Sequence, residues 1–156
     1  MITIGSSAPT FTLHDQGGIE HSLDQYRGAW VVLYAYPKDD TPGCTKQACA
    51  MQAALDEFER RNTILLGISA DSQESHEKFA AKHNLSFPLL ADETTETLQA
   101  YGVWQEKNIF GKKKMGIVRT TFIINPEGVV VHVFPKVSPE KNTLAVLQKL
   151  DALMQE

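Results

Sequence analysis

Two cysteines are the residues whose type and spacing are best suited to chemistry in this sequence. The 156-residue chain contains only Cys44 and Cys49, and Cys44 directly follows the turn-forming residues Thr41-Pro42-Gly43. That turn predicts a helix start, where partial positive charge and unpaired backbone N–H groups stabilise a thiolate. A thiolate attacks oxygen and sulfur electrophiles, so Cys44 is a candidate nucleophile. Gly43 offers a backbone N–H to a small polar substrate, with no side chain to block its approach.

The five-residue spacing of the cysteines limits how they could react with each other. On an ideal helix their Cα atoms would lie about 8 to 9 Å apart, beyond the disulfide limit of about 7 Å. A bond between Cys44 and Cys49 therefore cannot form while the helix is intact. The hypothesis that follows is that oxidation unwinds at least the first turns of the helix, and reduction lets it reform.

Other interpretations of the cysteine pair remain open at this point. The cysteines could be small buried residues without chemistry. They could bind zinc, although two thiolates need further ligands and the histidines are scattered. They could serve a thioredoxin-type disulfide oxidoreductase, although C-x-x-C is absent, or a redox-sensing binding module. The histidines are His14, His21, His76, His83 and His132.

The elements that position the cysteines are predicted from hydrophobic periodicity. Residues 29–36 are continuously apolar, with β-branched and aromatic side chains, which is typical of a central parallel strand buried on both faces. A helix over residues 42–60 follows, with Thr41 as N-cap, Pro42 as first residue and apolar side chains at helical spacing. Cys44 is therefore expected in the first turn of a helix, directly after a buried strand.

The remaining segments predict an α/β fold with a mixed central sheet flanked by helices. Residues 104–116 show no clear periodicity and predict a long loop. We expect a single domain over residues 1–156, without a repeat or linker. The other predicted elements are an N-terminal β-hairpin, strands at 63–69 and 87–91, a second hairpin of strands 119–124 and 129–134, and helices at 72–83, 95–101 and 139–154.

Composition narrows the function classes. Hydrophobic residues make up 42% of the chain and charged residues 22%, as in ordinary soluble proteins, and the formal net charge is −4. This charge argues against nucleic-acid binding, which requires a basic face. No secretory signal or bilayer-spanning run is visible, so we expect a cytoplasmic protein that does not enter a membrane. In that reducing compartment, a close cysteine pair is more often catalytic or metal-binding than structural.

The residues around Cys44 resemble a known enzyme family. Pro37-x-x-x-Thr41-x-x-Cys44 matches the active-site signature of peroxiredoxins. The fuller match resembles the bacterioferritin comigratory protein subfamily, also called Q-type peroxiredoxins, and spans nearly the whole chain. Its segments are Tyr36-Pro37-Lys38-Asp39-Asp40-Thr41-Pro42-Gly43-Cys44-Thr45 with Ala48-Cys49, Gly5-x-x-Ala8-Pro9-x-Phe11-x-Leu13, Leu66-Gly67-Ile68-Ser69-x-Asp71, Leu89-Leu90-Ala91-Asp92, Tyr101-Gly102-Val103-Trp104-x-Glu106-Lys107, and Gly116-Ile117-x-Arg119-x-x-Phe122-x-Ile124.

The resemblance implies a thioredoxin-like fold and a thiol peroxidase that reduces hydrogen peroxide and organic hydroperoxides. Cys44 would be the peroxidatic cysteine, which becomes a sulfenic acid. Cys49 would be the resolving cysteine, which closes an intramolecular disulfide with Cys44. Another branch of the subfamily carries its resolving cysteine in the next helix, and residues 72–83 contain none. Thioredoxin would be the reductant, the protein a monomer in antioxidant defence, and no metal, flavin or haem would be required.

The resemblance also implies roles for three residues outside the cysteine pair. The Thr41 hydroxyl would hydrogen-bond the sulfur or the peroxide, Arg119 would donate to both, and Pro37 would shield the site from water. Each has a plainer alternative. Thr41 could be only a helix cap, Arg119 an ordinary surface arginine, and Pro37 only the end of a strand. A guanidinium does suit a thiolate and two oxygens in line, because it never loses its charge.

Overall fold

The computed structural model describes residues 2–156 and has the mixed α/β architecture that the sequence predicts. The strands are β1 (Thr12–His14), β2 (Glu20–Ser22), β3 (Trp30–Ala35), β4 (Thr63–Ser69), β5 (Leu89–Ala91), β6 (Trp104–Ile109), β7 (Lys112–Ile117), β8 (Thr120–Ile124) and β9 (Val130–Phe134). The helices are α1 (Pro42–Ala53), α2 (Leu55–Arg60), α3 (Gln73–His83), α4 (Glu96–Ala100) and α5 (Asn142–Met154), with a short 3-10 helix at Leu23–Tyr26. Among these residues, no helix has the length and apolar character needed to cross a bilayer.

Strand β3 lies inside a seven-stranded sheet of order β2-β1-β5-β4-β3-β8-β9. It is parallel to β4 and antiparallel to β8, so it has hydrogen-bonded partners on both edges. The hairpin of β1 and β2 joins the edge of β5, where His14 pairs with Ala91. The predicted mixed sheet and N-terminal hairpin are confirmed, and the second predicted hairpin is β8 and β9.

Two clusters of buried side chains cover opposite faces of the sheet. Because side chains of a strand alternate between faces, Leu33 of β3 enters one cluster and Tyr34 enters the other. Helix α1 contacts the second cluster through Cys44, Ala48 and Met51, which recur at helical spacing on one face. The apolar face of α1 therefore carries Cys44 into the protein interior.

The single helix predicted over residues 42–60 is wrong in one respect, since it divides at Ala54 into α1 and α2. Ala54 has φ −97° and ψ 7°, outside helical geometry. The apolar residues Met51 and Phe58 are both buried in the same cluster on either side of the break. Periodicity therefore continues across the break and could not reveal it.

The loop predicted over residues 104–116 is wrong, because β6 and β7 form an antiparallel hairpin there. Most of its side chains are exposed, so neither strand shows the alternation of a half-buried strand. Its turn also carries an unusual residue, Phe110, at the first of its two positions. Phe110 and Gly111 both have positive φ, 51° and 77°, as a type I′ turn requires, but Asn-Gly is the usual pair there.

The last helix begins at Asn142, three residues later than predicted from Pro139. Pro139 instead lies in the loop before α5 and packs near Gly43, where a Cβ on Gly43 would lie 3.4 Å from the proline ring. The segment that was predicted to be the first turn of the helix therefore forms part of the surroundings of Cys44.

Candidate active site

Cys44 is the third residue of α1 and is only 1% exposed. Thr41 occupies the N-cap position with extended backbone geometry, and Pro42 is the first helical residue, as predicted. The Thr45 N–H donates to the Thr41 carbonyl at 2.8 Å, and proline has no N–H. The backbone N–H groups of Gly43 and Cys44 are therefore left without acceptors inside the helix and point toward its positive end.

Arg119, which lies between β7 and β8, contacts the Cys44 sulfur. Its Nη2 atom donates to Sγ at 3.4 Å, and its Nη1 atom donates to Oε1 of Gln47 at 2.7 Å. Among residues 2–156, no ion pair involves Arg119, so no carboxylate neutralises its charge. The guanidinium is therefore placed to stabilise negative charge on the sulfur, and the ordinary surface arginine is not what the structure shows.

Gly43 matters for a reason that differs from the one predicted. A Cβ at this position would lie 3.2 Å from Nη2 of Arg119, so the guanidinium would have to shift by a few tenths of an ångström. The missing side chain therefore gives room to the guanidinium, in addition to leaving the backbone N–H accessible.

The Thr41 hydroxyl does not cap α1. It donates to the Lys38 carbonyl at 2.9 Å, within the loop that leads to Cys44. Because that bond uses the proton of the hydroxyl, its oxygen remains free to accept a hydrogen bond from an incoming peroxide O–H. This geometry leaves a substrate role for Thr41 as a prediction and removes the interpretation as a side-chain cap.

We expect Thr41→Ser to keep most of the rate of reaction with hydrogen peroxide, because it keeps the hydroxyl. Thr41→Val should slow that reaction about tenfold, which is the loss of one hydrogen bond of about 1.4 kcal/mol. Stopped-flow measurement of the second-order rate constant checks both variants. Equal rates for the serine and valine variants would remove Thr41 from the reaction.

The loop between β3 and α1 is anchored by a buried polar cluster. The Asp39 carboxylate accepts from the hydroxyls of Tyr36 at 2.6 Å and Ser75 at 2.8 Å, and it contacts His76 Nδ1 at 2.7 Å. The Asp39 N–H donates to Asp71 at 2.9 Å. Pro37, which lies two residues before Asp39 in this loop, is half-buried, and its role as a shield against water stays a prediction.

The same cluster brings together side-chain atoms of the kinds that can bind a metal ion. Among residues 2–156, one oxygen or nitrogen from each of Asp39, Asp71 and His76 lies within 4.8 Å of the others. Each of these atoms already has a hydrogen-bond partner, and His76 Nε2 also contacts the Leu90 carbonyl at 3.0 Å. The cluster therefore ties α3 and β5 to the loop that precedes Cys44.

The structure does not bring Cys49 to Cys44. Both are free thiols on the uninterrupted helix α1, and Cys49 is exposed whereas Cys44 is buried. Residues five apart on one helix are too distant for a disulfide. Any bond between them requires part of α1 to unwind, as the spacing predicts.

Gln47 was given no role at the site by the sequence reasoning, and Lys107 entered it only as part of the resemblance. Gln47 is fully buried one turn after Cys44. Residues three apart lie on the same face of a helix, and this spacing could have indicated that Gln47 lies near the Cys44 side chain. Lys107 of β6 is half-buried, and its side chain packs against Gly116. Burial lowers the pKa of the Lys107 ammonium and the Arg119 charge lowers it further, while Cys44 acts in the opposite direction. The Lys107 side chain therefore lies within the electrostatic environment of Arg119 and Cys44.

Comparisons with known proteins identify the family of this chain. A family model described as the AhpC/TSA family matches residues 4–133. The putative peroxiredoxin Bcp of Coxiella burnetii is 46% identical over 149 residues, which cover 96% of this chain and 99% of that protein. Peroxiredoxin Bcp of Bacillus subtilis is 42% identical, with 96% and 95% covered.

Solved structures of peroxiredoxins have the same fold as this chain. The bacterioferritin comigratory protein of Xanthomonas campestris, studied for its alkyl peroxide reduction activity, superposes with a TM-score of 0.87 at 41% identity, covering 91% of this chain and 90% of that one. PrxQ of Xylella fastidiosa superposes with a TM-score of 0.94 at 34% identity, covering 99% and 98%. The predicted thioredoxin-like fold is confirmed by these structures.

Proposed function

This chain belongs to the AhpC/TSA family as a peroxiredoxin of the Bcp or Q type, and on that premise we propose that Cys44 is its peroxidatic cysteine and Cys49 its resolving cysteine. The observation that carries the proposal is the contact of 3.4 Å between the Arg119 guanidinium and the buried Cys44 sulfur at the start of α1. That position favours the thiolate, the form of cysteine that attacks peroxides.

In the first step, the Cys44 thiolate attacks the terminal oxygen of hydrogen peroxide or an alkyl hydroperoxide. An S–O bond forms as the O–O bond breaks, so the sulfur is oxidised by two electrons and the peroxide is reduced. The departing oxygen takes up a proton and leaves as water or an alcohol, and Cys44 becomes a sulfenic acid. Arg119 and the N–H groups of the first turn stabilise the charge that develops on the departing oxygen.

In the second step, α1 unwinds locally and the Cys49 thiol attacks the sulfenic sulfur. The S–S bond forms and water leaves, so the two cysteines are joined in a disulfide. The two residues have opposite exposures because Cys49 lies on the outer face of α1. Unwinding must therefore turn Cys49 inward, or Cys44 outward, before they meet.

In the third step, thioredoxin or a similar dithiol reduces the disulfide. We propose that the reductant attacks the Cys49 sulfur, which leaves Cys44 as the sulfur that departs. Cys44 is then the leaving thiolate, and Arg119 stabilises it, which favours this direction of exchange. The proposal places the protein in the cytoplasm, where thioredoxin systems operate, with a role in antioxidant defence.

The burial of Cys44 also favours the proposed function over a thioredoxin-type oxidoreductase. A thioredoxin-type oxidoreductase must expose its nucleophile to a folded protein substrate, whereas Cys44 is 1% exposed. The narrow –O–OH end of a hydroperoxide suits such a sulfur better. Both cysteines lie on one helix of one chain, so the proposed cycle needs no second subunit, and we propose a monomer.

Amide hydrogen exchange tests the unwinding that the second step requires. We expect residues 46–51 of α1 to exchange faster in the disulfide form than in the dithiol form, because their helical hydrogen bonds are broken. Helix α3, which contains no cysteine, is the control and should exchange equally in both forms. Equal protection of residues 46–51 in both forms, with the Cys44–Cys49 disulfide verified by mass analysis, would contradict the proposed resolving step.

A further inference from the structure

A chain of buried polar side chains leads from Arg119 away from the sulfur into the protein. Gln47, which accepts from Arg119, donates through Nε2 to Oδ1 of Asn142 at 3.0 Å. The Thr121 hydroxyl donates to the same oxygen at 2.8 Å. Gln47 and Thr121 are 0% exposed and Asn142 is 3% exposed, so water does not compete for these bonds. The three residues belong to α1, β8 and α5, and thus join three elements behind the site.

Arg119 determines the direction of each hydrogen bond between these buried side chains. A guanidinium has donors only, so Gln47 must present its carbonyl oxygen to Arg119. Its amide nitrogen then faces Asn142, which must present an acceptor, Oδ1. If the Asn142 amide were rotated by half a turn, two NH2 groups would face each other and the Gln47 carbonyl would no longer be held on the guanidinium.

Among the side-chain and backbone groups of residues 2–156, none pairs with the buried Asn142 Nδ2 group in this arrangement. Buried donors are nearly always paired, because a donor that loses water and gains no acceptor is destabilising. The orientation of the Asn142 amide therefore favours the two contacts of its oxygen, with Gln47 and Thr121, over pairing of its nitrogen. A residue that served packing alone would not need an amide at this position.

We propose that Asn142 is a positioning residue for the peroxidase reaction. By fixing the amide of Gln47, it holds the Arg119 guanidinium in line with the Cys44 sulfur, which Asn142 itself does not touch. The inference rests on the proposed function, because it assigns Asn142 to the attack of Cys44 on peroxide. The position of the guanidinium, however, affects the reactivity of the Cys44 thiolate toward any electrophile.

The same hydrogen bond links Asn142 to the second step of the cycle. Gln47 lies between Cys44 and Cys49, in the part of α1 that must unwind for the disulfide to form. Unwinding has to withdraw Gln47 from Asn142, so this bond opposes unwinding. Loss of the Asn142 oxygen should therefore speed disulfide formation, and through Arg119 it should slow the reaction with peroxide. General destabilisation of the fold would not change how the alkylation rate of Cys44 depends on pH.

Asn142→Leu in a Cys49→Ser background tests the positioning role, with Cys44 as the one remaining thiol. The pH dependence of Cys44 alkylation by iodoacetamide should move to higher pH. The rate with hydrogen peroxide at neutral pH should fall about tenfold, less than the 10² to 10³ lost when a stabilising donor is removed outright. Thr121→Val, which removes one donor to Asn142, should move both in the same direction by less.

Thr143→Val is the matched control. Thr143 is the neighbouring buried residue in α5, and its hydroxyl takes no part in the hydrogen bonds among Arg119, Gln47, Asn142 and Thr121, so its loss should change neither the profile nor the rate. An unchanged alkylation profile in Asn142→Leu, or in Thr121→Val should the leucine variant not fold, would overturn the inference. A shift of the same size in Thr143→Val would also overturn it. Absence of peroxide consumption by the unmodified protein would instead contradict the proposed function, since alkylation does not depend on it.

Discussion

Cys44→Ser is expected to abolish peroxide consumption. A serine hydroxyl at this position stays protonated at neutral pH, and oxygen cannot form the sulfenic acid that carries the reaction. The substitution is close in size, so the contacts of α1 with its buried cluster should persist and the protein should remain folded. Peroxide loss measured by stopped flow, with thioredoxin and its reductase supplying electrons, gives the rate directly.

The control for this variant is the stability of the folded chain. Thermal unfolding of Cys44→Ser, followed by circular dichroism, should show a cooperative transition like that of the unmodified protein. Activity that survives in a folded Cys44→Ser protein would show that another group reacts with peroxide, and the assignment of Cys44 would be wrong.

Cys49→Ser is expected to consume one equivalent of peroxide per chain and then stop when thioredoxin is the reductant. Its Cys44 still has Arg119 at the sulfur, so the first step should proceed at nearly the normal rate. Without the Cys49 thiol no internal disulfide forms, and Cys44 remains buried as a sulfenic acid that a protein reductant cannot reach. Mass analysis should find one added oxygen on Cys44 after the first equivalent.

This variant should also be more sensitive to excess peroxide. The attack of Cys49 normally removes the sulfenic acid. Without Cys49 the sulfenic acid persists, and excess peroxide can oxidise Cys44 further to the sulfinic acid. Small thiols can enter where thioredoxin cannot, and they should restore slow turnover. Full steady-state activity of Cys49→Ser with thioredoxin would contradict the resolving role, while leaving that of Cys44 intact. Because Cys49 is exposed, loss of stability would not explain an inactive variant.

The balance between these outcomes depends on how readily α1 unwinds. Unwinding exposes Ala48 and Met51, which are fully buried in the folded helix, and removes Gln47 from its buried contacts. Each of these contacts stabilises the form in which Cys44 reacts with peroxide and opposes the form in which Cys49 resolves it. The packing of one helix face thus influences both the first and second steps.

The sequence by itself determined the parts of the site that depend on neighbours along the chain. An apolar run predicts β3, Thr41 and Pro42 predict the start of α1, and the helix start predicts an environment that stabilises the thiolate of Cys44. The five-residue spacing of the cysteines likewise showed that no disulfide fits the intact helix. These inferences hold because capping, periodicity and helical rise are local properties.

Only the tertiary structure decided which distant groups surround the sulfur. Arg119 lies 75 positions from Cys44, and Asn142 lies 95 positions from Gln47, yet both pairs are in contact. The resemblance to peroxiredoxins indicated Arg119, but no periodicity or spacing indicated Gln47 with Asn142, or the β6–β7 hairpin that places Lys107 near the thiol. Such contacts depend on how sheet and helices pack, since a hydrogen bond between elements leaves no pattern in the sequence of either element.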